Sequence, residues 1–157
     1  FYTEAHARLK PGGIMLMWIP YLATLDEFKT HVRTFRSVFP HVDIVLSPVK
    51  NGAYLLGSDE PLNFDAASLA SLLGSPAAAS DFATAPDDPH LDGAAWAREI
   101  MADVWMQDEQ IDQFVGAGPV ITDDRPISEY WLLHALSAKD HADVNDQRLR
   151  GYAVARP

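Results

Sequence analysis

The run Ile14-Met15-Leu16-Met17-Trp18-Ile19 constrains this chain more than any other stretch. Six apolar residues follow Lys10-Pro11-Gly12-Gly13 and are closed by Pro20. A membrane-spanning helix needs ~20 such residues, so this run is too short to be one. It does not alternate between apolar and polar, as a half-exposed strand would. The expectation is a strand covered on both faces, as in a parallel sheet between helical layers.

The neighbouring segments supply the other parts of such a sheet. Phe1 to Leu9 carries apolar residues at helical spacing and stops at Lys10-Pro11-Gly12-Gly13. Leu25, Phe28, Val32 and Phe35 form one apolar helical face. Thr24 and Glu27 ahead of it have the spacing of a capping box. Asp26 and Glu27 at its start and Arg33 and Arg36 near its end suit the helix dipole. Val42 to Val49 and Ala53 to Gly57 read as two strands joined by Lys50-Asn51-Gly52, because Asn-Gly tolerates the positive φ of a tight hairpin. Pro48 places the first of them near an edge or a bulge. Three strands with one sheet face uncovered make an unusual free-standing domain. A partner, or more of the same protein, is expected to complete them.

The remainder is more peripheral. Ala66 to Leu73 reads as a short helix ended by Gly74, and residues 75–93 as a loop with five Ala, four Asp and three Pro. Ala94 to Met106 and Asp108 to Val115 read as helices, the second stopped by Gly116-Ala117-Gly118-Pro119. The expected organisation is an α/β unit over 1–74, a loop over 75–93, a helical extension over 94–136 and a polar tail over 137–157.

Charge narrows the partners. The net charge is −10, and it is unevenly spread: residues 1–57 carry four acids and six bases, the rest eighteen acids and six bases. A nucleic acid or an anionic membrane would need a concentrated basic surface. The acidic stretch 81–112 is expected to be solvated surface that can also attract cations. The absence of cysteine excludes disulfides and thiolate chemistry. The six histidines show no metal-ligand spacing; His134 and His141 stand seven apart in a polar segment, and Asp87-Asp88-Pro89-His90 reads as solvated loop. The start at Phe1 rather than Met suggests the back part of a larger protein, with a targeting signal or further domains upstream.

Four features together resemble the spermidine synthase-like (polyamine aminopropyltransferase) family. They are Phe1-Tyr2 before Leu9-Lys10-Pro11-Gly12-Gly13; Trp18-Ile19-Pro20; the run from Val32 through Phe39-Pro40-His41-Val42; and Thr122-Asp123-Asp124-Arg125-Pro126 with Glu129-Tyr130. The resemblance implies the C-terminal half of a Rossmann-like, class I S-adenosylmethionine-dependent methyltransferase fold, strands five to seven with their helices, plus a helical acidic extension. It implies an intact protein that transfers an aminopropyl group from decarboxylated S-adenosylmethionine to a small cationic polyamine. Methyl transfer from S-adenosylmethionine and a non-catalytic, synthase-like regulatory or assembly domain are the alternatives. The family's cofactor loop and catalytic carboxylate would lie before Phe1, so this chain alone is expected to bind no cofactor and to be inactive. The missing N-terminal half or a homo-oligomer partner would complete it. The location implied is the cytoplasm, either free or as the cytoplasmic part of a protein with a membrane segment upstream.

The candidate substrate-binding residues are Trp18, Tyr21, Asp124, Glu129 and Tyr130. Carboxylates suit the ends of a polyamine, and aromatic walls suit the cationic length between them. Trp18 and Tyr21 would stand where strand five meets the pocket. Asp123 and Asp124 are adjacent, so in an extended chain their side chains point to opposite faces and share no proton. A structural role as helix cap at Arg125-Pro126, with Arg125 paired to an aspartate or to Glu129, competes with a role in binding the amine. His41 is expected to be a neutral, hydrogen-bonded residue.

Overall fold

The computed structural model describes residues 1–20, 24–47, 51–82, 93–126, 147 and 149–151. In chain order the elements are α1 (Tyr2–His6), β1 (Met15–Pro20), α2 (Leu25–Arg36), β2 (His41–Leu46), β3 (Gly52–Ser58), α3 (Ala66–Leu73), α4 (Pro76–Phe82), α5 (Gly93–Asp103), β4 (Val104–Gln107) and α6 (Asp108–Val115). They form two units: residues 1–62 with 105–157, and residues 63–104 between.

The first unit is built on the sheet, in the order β1-β3-β2-β4. β3 runs antiparallel to both neighbours, with Met17 opposite Leu55 on one side and Ile44 opposite Leu55 on the other. The hairpin from β2 to β3 forms, but not through the expected Asn-Gly turn: Gly52 already belongs to β3, is paired with Pro20 and takes no positive φ, while Pro48 and Lys50 lie outside the described residues. α2 forms as its sequence dictates. Thr24 Oγ1 accepts from the Glu27 N–H at 3.3 Å, and Glu27 Oε2 accepts from the Thr24 N–H at 2.8 Å. Two N–H groups that the first turn leaves without helical partners are thereby bonded.

α2 buries Phe28, Val32 and Phe35. Phe35 stacks on Phe39 at 4.5 Å, and Tyr2 of α1 meets Phe35 edge-on at 5.1 Å. Both phenylalanine rings lie over Gly57, where an added Cβ would come within 2.5 Å of Phe39 and 2.6 Å of Phe35. Glycine is what lets two rings rest directly on the strand. The core continues through Phe28, Phe114 and Trp105, with ring centroids at 6.4 and 4.9 Å in successive pairs.

This sheet overturns the expected Rossmann-like methyltransferase half-fold. That architecture rests on parallel strands covered on both faces, whereas β1, β3 and β2 pair antiparallel in an open sheet. β1 is an edge strand, and its burial alternates along its length. Met15 and Met17 are half-buried and Ile19 buried, while Leu16 is 56% and Trp18 43% exposed. The continuous apolar run concealed this alternation, because residues of one hydrophobic type occupy both a core side and an open side.

The second unit is helical. Asp65 caps α3 by accepting from the Ala67 and Ser68 N–H groups. α3 and α5 approach closely: a Cβ on Gly93 would fall 2.4 Å from the Gly74 nitrogen. α4 stands within the stretch read as loop. Pro76 occupies its first position, and Ala77, Ala78 and Ala79 follow with high helix propensity. The helix expected to reach Met106 instead ends at Asp103, and Val104-Trp105-Met106 continues as β4, as β-branched and aromatic residues favour. Among the described residues no helix is long and apolar enough to cross a membrane.

Candidate functional site

Alternation along β1 divides the sheet into two sides. Met15, Met17 and Ile19 share a side with their cross-strand partners Gly57, Leu55 and Ala53, facing the core under α2. Leu16 and Trp18 share the outer side with Leu56 and Tyr54. Ile14, immediately before the strand, is 49% exposed. Exposure on this side falls away from the edge: Tyr54, Leu56 and Val45 are half-buried, and Asp43 is buried. The Trp18 indole lies against the hairpin, since a Cβ on Gly52 would come within 2.5 Å of its Nε1. An apolar strip of Ile14, Leu16 and Trp18 thus runs along the edge of the sheet that no other strand among the described residues pairs with, without a charged side chain in β1.

Trp18 is the one expected site residue on this strip. Asp124 lies elsewhere. Thr122 to Arg125 form a tight turn in which the Arg125 N–H donates to the Thr122 carbonyl at 2.9 Å. Asp123 and Asp124 occupy its two central positions and are exposed. The turn is fastened to α2 because the Ile121 N–H donates to Thr34 Oγ1 at 2.8 Å. α2 covers the core side, so Trp18 and Asp124 stand on opposite sides of the sheet and do not converge. Tyr21, Glu129 and Tyr130 lie outside the described residues.

A groove of about 390 Å³ runs between α1, α2 and the turn, lined among others by Tyr2, His31, Thr34, Val38, Ile121 and Asp123. Burial lowers the pKa of His31, only partly opposed by the Glu27 carboxylate, so the ring is neutral at neutral pH. Burial raises the pKa of Tyr2, which keeps its hydroxyl. The Thr34 hydroxyl donates to the Thr30 carbonyl while accepting from Ile121. Thr34 and Ile121 are therefore engaged in holding the turn, and Asp123 is the acidic group at the groove.

Two arginines of α2 hold the C-terminal segment. Arg33 donates from Nε to the Val115 carbonyl at 3.2 Å and from Nη1 to the Pro119 carbonyl at 2.9 Å. Gly118 makes room, because a Cβ there would sit 2.5 Å from the Arg33 guanidinium carbon. Arg36 pairs with both oxygens of Asp112 at 3.0 Å and approaches Asp108 at 3.4 Å. Asp108 adopts φ 30°, rare for a residue with a side chain. Its carboxylate accepts from the Val42 N–H at 2.9 Å and bonds His41 Nδ1 at 2.7 Å. Burial works against ionisation of Asp108. The His41 bond, the Val42 bond and the nearby charges outweigh it and hold the carboxyl below its usual range.

A histidine–carboxylate pair resembles half of a catalytic triad, but every contact here joins β2, α2 and α6 into one clasp. Sequence reasoning missed this clasp because its members lie 66 to 76 residues apart. It also missed Ile14 and Leu16 as surface residues. Only the position of β1 in the strand order exposes them. Among the described residues no group of three His, Cys, Asp or Glu is arranged to hold a metal ion.

The chain matches no protein-family model, no curated protein and no solved structure. With the antiparallel open sheet, this removes the resemblance to spermidine synthase-like proteins and the functions it implied: aminopropyl transfer in polyamine biosynthesis, methyl transfer from S-adenosylmethionine, and a synthase-like regulatory role. What stands is a small mixed α/β chain whose four-stranded sheet is open at β1.

Proposed function

We propose that this chain is a binding module that docks on an apolar polypeptide strand through β1. The observation that carries the reading is the exposure of Ile14, Leu16 and Trp18 together along the terminal strand of the sheet. An edge strand offers one row of backbone N–H and C=O groups not used by its neighbour, and a strand added there gains main-chain hydrogen bonds. The side chains on the outer face supply specificity and area removed from water. β1 lacks the devices that blunt edges: no charge interrupts it, its six pairs with β3 run without a bulge, and proline appears only at its last position.

The test is titration of a short labelled peptide of alternating apolar and polar residues into dilute protein. Fluorescence anisotropy would follow binding, and amide hydrogen exchange would locate it. Protection of the β1 amides that do not bond β3, lost in Leu16→Lys, is the expected result. Binding that leaves β1 exchange unchanged, or that survives Leu16→Lys undiminished, would overturn the reading.

A further inference from the structure

We infer that the occupant of this edge is a second copy of the chain, its β1 lying antiparallel to the first across a two-fold axis at Met17. The inference rests on the docking reading of β1 and adds the identity and register of the partner. A two-fold contact must be self-complementary, since each copy presents the same patch. With the axis at Met17, Leu16 stands beside the partner's Trp18, and Trp18 beside the partner's Leu16. The two largest exposed side chains of the strand then pair twice on the outer side. Such cross-strand pairs of aromatic and aliphatic groups stabilise antiparallel strands.

Charge selects this arrangement for a chain of net charge −10, which otherwise repels its own copies. β1 is uncharged and lies within residues 1–57, where bases outnumber acids six to four. Its two flanks differ in sign. Arg8 and Lys10 precede the strand, and Asp26 and Glu27 follow it at the start of α2. Antiparallel pairing sets the basic flank of each copy toward the acidic flank of the other. Parallel pairing would set like against like. The opposite edge offers no equivalent: β4 has four residues, and Asp108 and Glu109 follow it directly.

The absence of cysteine allows a direct test of register. Directly opposed residues of an antiparallel pair have Cα atoms about 4.5–5.5 Å apart, within reach of a disulfide. Met17→Cys is therefore expected to form a covalent dimer on mild oxidation. Met15→Cys is expected not to, because two residues on either side of the axis separate the thiols by roughly 13 Å along the strands. Sedimentation of the wild-type chain should show a dimer, and Leu16→Lys, with its fold checked by circular dichroism, should weaken it at least tenfold. A wild-type chain that stays monomeric at its highest soluble concentration, yet still protects β1 on binding the strand peptide, would overturn the second copy and leave the docking reading standing. Monomeric protein without peptide binding would overturn both. Equal cross-linking of Met15→Cys and Met17→Cys would overturn the register.

Discussion

The two edges of the sheet are finished in opposite ways. β4 is short, and Val104, Trp105 and Met106 are all buried. Its last residue, Gln107, donates from Nε2 to the buried Asp43 carboxylate at 3.0 Å, and Asp108 then ties the chain to His41 and Val42. β1 is longer, carries no charged side chain, and leaves Leu16 and Trp18 half open. One edge is closed by its own chain through packing, hydrogen bonds and charge. The other has the composition of a core strand, yet Leu16 and Trp18 on its outer side remain exposed. Similar apolar residues therefore serve stability at β4 and are available for recognition at β1.

The contrast can be broken most sharply at Trp105. It is 1% exposed and meets Phe114 edge-on at 4.9 Å, so Trp105→Ala should cost about 3–5 kcal/mol in urea unfolding. A loss below ~1 kcal/mol would place β4 with the peripheral elements. Gln107→Ala comes next. It removes the amide N–H that donates to the Asp43 carboxylate, which is 3% exposed, with an expected loss of about 1–3 kcal/mol in the same measurement.

The Asp108 clasp should show itself through pH. Its carboxyl titrates below the ordinary value of 3.8, so the folded state favours the ionised form. Its contribution is complete above the unfolded pKa and is lost as pH falls through the lower, folded one. Thermal unfolding of Asp108→Asn should therefore fall less steeply than wild type below pH 4, from a lower plateau at neutral pH. Equal acid limbs in the two proteins would show that the clasp adds nothing.

The smallest effect is expected at β1. Leu16→Ser, measured at protein concentrations low enough to keep the chain dissociated, should change stability by no more than ~0.5 kcal/mol. A loss comparable to that at Trp105 would mean that Leu16 belongs to the core and that the two edges are alike.

Much of the local structure was legible in the residues. Thr24 and Glu27 announced α2 and its cap, and Gly74 the end of α3. These signals act over a few positions, where backbone preference and nearby hydrogen bonds decide. The sheet order was not legible. Whether Leu16 faces a helix or water depends on what lies beside β1, and nothing in Met-Leu-Met-Trp states that. Helical spacing through Trp96 and Ile100 extended past its true end and hid β4, because Val104, four residues beyond Ile100, continues that spacing although it is the first residue of the strand. The candidate site suffered most. Trp18 and Asp124 suit one pocket by residue type, yet the sheet separates them, and side-chain chemistry carries no record of distance.

β2 and β4 are neighbours in the sheet, although all of residues 63–104 lie between the sheet unit's two stretches of chain. Before Trp105 can enter the core, the polymer must close that span. The entropy of closure grows only with the logarithm of length, about 0.6 kcal/mol for each doubling. The sheet is therefore nearly indifferent to how long the inserted segment is, provided its ends return to the same place. Closure entropy alone therefore sets little limit on the length of the stretch between β3 and β4.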